Sequence, residues 1–126
     1  MKEMKIKALK IEPGMHPYVV KLSTDLDSLQ KAVSIGAPDQ GFIEFVYLED
    51  NVSILCNEEG KLIGLDPNRR LGDDILCGVF YVIAENDEGE LISLTLEQQV
   101  HYTQMFWKPD VIDQAEVGNT VFFRFI

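Results

Sequence analysis

The residues best suited to chemistry in this chain are two adjacent arginines, Arg69 and Arg70, in the stretch Asp66-Pro67-Asn68-Arg69-Arg70-Leu71-Gly72. A guanidinium presents a planar fork of donors that matches a phosphate or carboxylate two bonds at a time. Such a pair stands out in a chain of formal net charge −10. Pro67 restricts the backbone on one side, and Gly64 and Gly72 permit sharp turns around the pair. Lys61 is close enough in sequence to add a third positive charge. The pattern predicts an anion site built from Lys61, Asn68, Arg69 and Arg70, with Tyr81 or Trp107 as the aromatic partner of a base. The opposing reading folds the arginines back onto Asp66, Asp73 or Asp74 to pin the loop. No phosphate loop of the G-x-x-x-x-G-K type accompanies them.

Other chemistries find less footing. The acidic pairs Glu58-Glu59, Asp73-Asp74 and Asp87-Glu88 could share acid and base roles if held a few ångströms apart. Two of them fall at expected hairpin tips, where solvated charge is the usual occupant. Two cysteines (Cys56, Cys77) and two histidines (His16, His101) lack the C-x-x-C or H-x-x-x-H spacing of a zinc site. No G-x-S-x-G or Cys/His nucleophile signature occurs. Cys77 lies in an apolar run and reads as a small buried hydrophobe. The expectation is therefore a protein that is not an enzyme, with no catalytic residue, metal or cofactor.

Charge is unevenly spread. Residues 1–21 contain five lysines and two acids, a net of +3; residues 22–126 contain six basic and nineteen acidic residues, a net of −13. That body repels nucleic acid, so direct nucleic-acid binding is not expected. The acidity serves solubility or imitates a nucleic-acid surface.

The elements that must position these residues follow from periodicity and punctuation. Met4–Ile11 alternates as a strand, Pro13-Gly14 marks a type II turn, and Tyr18–Leu22 returns. Thr24 or Asp25 caps a short helix with Leu26, Leu29 and Val33 on one face, closed by Gly36. Residues 37–41 are a loop, Phe42–Leu48 and Val52–Cys56 form a hairpin, and Ile75–Ala84 is the central strand. Leu91–Ser93 is a short strand. Thr95 and Gln98 form a capping box for a second helix, about Leu96–Trp107, with Leu96, Val100, Thr103 and Trp107 on one face. Val111–Gly118 is irregular or weakly helical, and Val121–Ile126 is a terminal strand. The fold class is α+β, a mostly antiparallel sheet of hairpins with two helices packed on it. A length of 126 residues suits a single domain. An apolar fraction of 46% against 25% charged excludes a disordered chain. No apolar run approaches the ~20 residues of a membrane helix. No secretory leader is evident, and a cytoplasmic location is expected.

Two features remain. Asn57–Leu65 and Asn86–Leu94 share six of nine residues, a Gly at the fourth position in each. The echo reads as a half-domain duplication or, preferably, as two hairpins with the same turn chemistry, because the flanks do not match. The aromatic set Phe80, Tyr81, Tyr102, Phe106, Trp107, Phe122, Phe123 and Phe125 is mostly core, with Trp107 the best stacking or interface residue.

The ordered elements Ile11-Glu12-Pro13-Gly14, Cys56-Asn57-Glu58-Glu59-Gly60-Lys61, Gly64-Leu65-x-x-Asn68-Arg69 and Asp74-Ile75-x-Cys77-Gly78-x-Phe80 resemble a small domain family of unknown function. That family is carried by phages, plasmids and integrated elements of Gram-positive bacteria. The resemblance covers about residues 4–107, with 108–126 as an extension. It implies a mobile-element setting in a host cytoplasm and no established reaction. Accessory proteins of this kind often counter host defence; in that setting the basic pair inside an acidic chain points to a binder that sequesters a phosphate-bearing nucleotide signal through the arginines. The alternatives are an acidic DNA mimic or protein-binding inhibitor of a host defence enzyme, and an oligomeric scaffold without ligand. A homo-oligomer is expected.

Overall fold

A computed structural model describes residues 4–35 and 42–118. Among them the elements run β1 (Lys5–Ile11), β2 (Tyr18–Ser23), α1 (Leu26–Ala32), β3 (Ile43–Glu49), β4 (Val52–Asn57), β5 (Pro67–Leu71), β6 (Asp74–Cys77), β7 (Phe80–Glu85), β8 (Leu91–Ile92) and α2 (Leu96–Met105). A last helical turn covers residues 114–118. The fold is α+β. The main antiparallel sheet has the order β2-β1-β7-β4-β3, and β8 pairs with the end of β7; β5 and β6 form a separate hairpin.

Strand alternation divides the core between two sheet faces. On the front, Leu9, Ile11, Val52, Ile54, Phe80, Val82 and Ala84 meet Tyr102 and Phe106 of α2 and Leu76 of β6. On the back, Ile6, Ala8, Leu55, Tyr81 and Ile83 meet Leu29 and Val33 at α1. A third cluster joins Leu65, Ile75 and Cys77 to Val117.

Several local expectations hold. Gly14 takes φ +75°, and the Met15 N–H donates to the Glu12 carbonyl at 3.2 Å, as the Pro-Gly turn requires. Asp25 rather than Thr24 caps α1, accepting from the Ser28 N–H at 3.0 Å. Thr95 and Gln98 form the capping box of α2.

Three expectations need correction. First, the apolar run Ile75–Ala84 is not one strand. Gly78 breaks it at φ +80°, a left-handed conformation, and a Cβ there would lie 2.7 Å from Leu65 Cδ1. The piece before the break belongs to the β5–β6 hairpin; only β7 is central, between β1 and β4. Second, the Asn-Arg-Arg stretch is a strand, β5, and not a loop. Third, the buried stripe of α2 is Tyr102 and Phe106, while Leu96, Val100 and Trp107 face outward. The two aromatic rings carry more area than the aliphatic set. Phe106 also meets Phe80 edge-on, with centroids 5.3 Å apart. Similarly, Leu26 is exposed, and only Leu29 and Val33 of the first-helix set are buried. The expected loop at 37–41 and strand at 121–126 lie in or run into stretches outside the described residues, as does the Gly36 stop.

The internal echo is a shared turn and nothing more. Asn57 Oδ1 accepts from the Glu59 N–H at 2.8 Å, and Asn86 Oδ1 from the Glu88 N–H at 3.0 Å. Beyond that the glycines differ. Gly89 has φ +80°, whereas Gly60 is needed because a Cβ would stand 2.8 Å from the Cys77 carbonyl oxygen.

Candidate functional site

Arg69 is the most buried large polar side chain among the described residues, at 1% exposure. Leu71 of β5 packs against the front core, and Arg69 two residues earlier shares its side of the strand, while an irregularity between Pro67 and Arg69 leaves Asn68 buried as well. Its guanidinium reaches the last turn of α2 and the β1–β2 turn together. Nε and Nη2 donate to the Phe106 carbonyl at 3.1 and 3.0 Å, and Nη2 also donates to the Met15 carbonyl at 2.6 Å. Nη1 donates to the Asn68 side-chain oxygen at 2.7 Å. The cation therefore caps a helix C-terminus, where uncompensated carbonyls favour positive charge. Burial pushes its pKa down from the ordinary arginine value, with the Asp110 carboxylate opposing.

Asn68 completes the node. It is fully buried, and its amide donates to the carbonyls of Ile11 at 2.9 Å and Gly78 at 2.8 Å. One amide group thus ties the end of β1 to the break before β7. Arg70 points outward, but not freely. Its Nε and Nη2 hold the Glu116 carboxylate at 3.0 and 2.8 Å, and its backbone N–H donates to Asp110 at 2.8 Å. The Glu116 hydrogen bond raises its pKa. Lys61 forms an ion pair with Asp74.

The two predicted aromatics lie apart from each other. Tyr81 is on the back face, opposite the arginines, where its hydroxyl donates to the Ala32 carbonyl at 3.3 Å and burial raises its pKa to about 12. Trp107 does sit near Arg69. It is half-exposed and stacks on His16 at 3.9 Å between centroids, 8° from parallel. His16 Nδ1 lies 2.6 Å from the Trp107 carbonyl. Each predicted cation has an internal partner: Arg69 the carbonyls, Arg70 Glu116, Lys61 Asp74. Neither expectation for the arginines fits fully, since the acids that hold Arg70 come from the far segment 110–116 and not from Asp66, Asp73 or Asp74.

The cavities are consistent with this. A hollow of about 310 Å³ is lined by Glu12, Pro13, Gly64, Leu65, Asp66 and Gly78, where pieces of the ordered motifs converge. Its charged lining is acidic, and Glu12 accepts from the Tyr18 hydroxyl, which raises the Tyr18 pKa. Cys56 and Cys77 border a space of about 30 Å³, room for one water. Burial lifts the Cys77 thiol to about 11. Among the described residues no three His, Cys, Asp or Glu groups gather as a metal site, and no helix is long and apolar enough to cross a membrane.

The prominent surface feature was not among the predicted residues. On β3, Phe45 is 49% and Tyr47 69% exposed, both on the back face beyond the reach of α1. Phe42, just before the strand, is also exposed. Phe45 borders a shallow recess with Ser53, Ile83, Glu85 and Leu91. Its signal in the sequence is weak because Ile43-Glu44-Phe45-Val46-Tyr47-Leu48 is apolar on both parities.

Together these features define a class: a sheet domain with helices on both faces, whose motif residues act as structural ties. The chain belongs to the family of the domain of unknown function DUF3846, whose model matches residues 4–107. No curated protein and no solved structure matches it. The match ends at Trp107, so Arg69 has all its hydrogen-bond partners inside the family domain, whereas Arg70 is held by residues beyond it.

Proposed function

We propose that this domain acts by binding another protein, not by catalysing a reaction. The observation that carries the reading is the exposure of Phe45 and Tyr47 on the back face, on the part that α1 does not cover among the described residues. Large aromatics are the residues that anchor protein interfaces, with polar groups around them. Glu85 lines the recess beside Phe45, Asp50 accepts from the Tyr47 hydroxyl at 3.0 Å, and the whole chain carries −10. The partner it fits is a protein with a basic surface, such as an enzyme that handles nucleic acid. In a mobile-element setting that partner is a host defence enzyme. β3 has β4 as its one strand partner among the described residues, but Glu44, Glu49 and a bulge between Tyr47 and Glu49 guard its edge. The face, not the edge, is the docking element.

Sequestration of a nucleotide by Lys61, Arg69 and Arg70 has less support, because each cation already holds a carboxylate or carbonyl. The test pairs a Phe45→Ser/Tyr47→Ser variant with Arg70→Ala. Tagged proteins capture partners from host extract, and the complex is then rebuilt from purified components. The expected result is a salt-sensitive complex weakened at least tenfold by the aromatic variant and little by Arg70→Ala. An aromatic variant that binds as well as the parent overturns the reading. So does calorimetric binding of a nucleotide that Arg70→Ala abolishes.

A further inference from the structure

The described cations without an ion pair include three on one patch of the main sheet. β1 and β2 pair so that Lys7 stands directly across from Lys21, and Lys5 across from Ser23. Alternation places Lys5, Lys7 and Lys21 on the front face, and all three are exposed. The Lys7 N–H donates to Ser93 Oγ at 2.8 Å, and its carbonyl accepts from the Leu94 N–H at 3.0 Å. Both backbone groups of Lys7 therefore point away from β2, making Lys7 and Lys21 a non-hydrogen-bonded pair. That is the closer kind of cross-strand neighbour, with Cα atoms about 4.5 Å apart. Like charges directly opposite are destabilising. The ion pairs among the described residues belong to Lys31, Lys61 and Arg70. An acidic chain thus sets two lysines against each other and a third about 7 Å along the strand, with no carboxylate paired to any of them among the described residues.

We propose that this face is a binding site for a compact polyphosphate group, with Lys5, Lys7 and Lys21 as its cations. The charge on the face selects an anion, and the rest of the molecule selects its size. Residues 22–126 carry a net −13, so a nucleic-acid strand or an acidic protein extending past the patch meets repulsion. A compact anion stays within the screening distance of about 8 Å at physiological salt. Long, flexible lysine stems can converge on it without a preformed fork. The site is independent of the aromatic face of β3 and stands whether or not that face binds a protein.

Titration with sodium tripolyphosphate in 50 mM salt, followed by calorimetry and by backbone amide shifts, tests the assignment. Saturable binding is expected, with shifts confined to β1, β2 and the 93–95 segment. Lys7→Gln/Lys21→Gln should weaken it at least tenfold while its unfolding midpoint stays equal or rises, since the like-charge contact is relieved. Raising salt to 200 mM should weaken binding, as screening of exposed charges requires. No saturable binding overturns the proposal. Equal or tighter binding of single-stranded DNA or polyglutamate, with the same sensitivity to the lysine variant, assigns the face to a polymer and overturns the compact ligand. Binding lost in Arg70→Ala but kept in the lysine variant moves the anion to Arg70 and overturns the site.

Discussion

Arg69 is where one substitution should do most damage. Arg69→Met leaves the carbonyls of Phe106 and Met15 and the oxygen of Asn68 without the guanidinium donor they share. A loss of about 3–5 kcal/mol is expected in urea unfolding. Arg70→Ala removes a solvent-facing clasp and should leave the global midpoint almost unchanged. Similar losses in the two variants would contradict the division between tie and clasp. The buried Tyr81 and Cys77 should make stability fall in alkali. Both have folded pKa values above their unfolded ones, about 12 for Tyr81 and about 11 for Cys77. The unfolded chain thus releases these protons first. Stability should hold below about pH 8 and fall between about pH 8 and 12, by up to about 2–3 kcal/mol per group. Tyr81→Phe should flatten the fall between pH 10 and 12; a curve parallel to the parent's would refute the assignment.

At the scale of elements, Gly78 decides where one apolar run becomes two strands. Gly78→Ala meets both the left-handed backbone and Leu65, and should cost about 2–4 kcal/mol. Gly89 has the same φ of +80° but open space around it. Gly89→Ala should cost only about 1–2 kcal/mol. Equal losses would mean that Leu65 simply moves aside. The hairpins, the caps and the Pro-Gly turn were legible because each rests on local chemistry. The split at Gly78 was not, since Cys77-Gly78-Val79 reads as a continuous apolar stretch and only the distant Leu65 marks it. β5 was hidden by its own composition, with Pro67 opening it and two arginines in its middle. The face of α2 was misread because an aliphatic spacing at Leu96 and Val100 competes with two rings whose burial depends on Phe80 and Glu49 across the sheet.

For the whole molecule, the segment past the matched domain is part of the fold's closure. Val117 covers Leu65, Ile75 and Cys77, while Asp110 and Glu116 hold Arg70. Val117→Asp should make Cys77 react with a thiol reagent under native conditions while Cys56 stays protected. If both stay silent, the segment does not shield that cluster. The candidate site was half legible. Residue types located the important stretch, Asn68 to Arg70, but its partners lie tens of residues away, beyond any local pattern. That distance also bears on time. The Arg69 bonds to Phe106 and Met15 join residues 37 and 54 positions apart. Contacts that close such long loops gain little until most of the chain is already in place. Their loss should then appear in the unfolding arm of a chevron, with refolding rates nearly unchanged. On that expectation, one buried guanidinium should govern how long the folded state lasts more than how quickly it is reached.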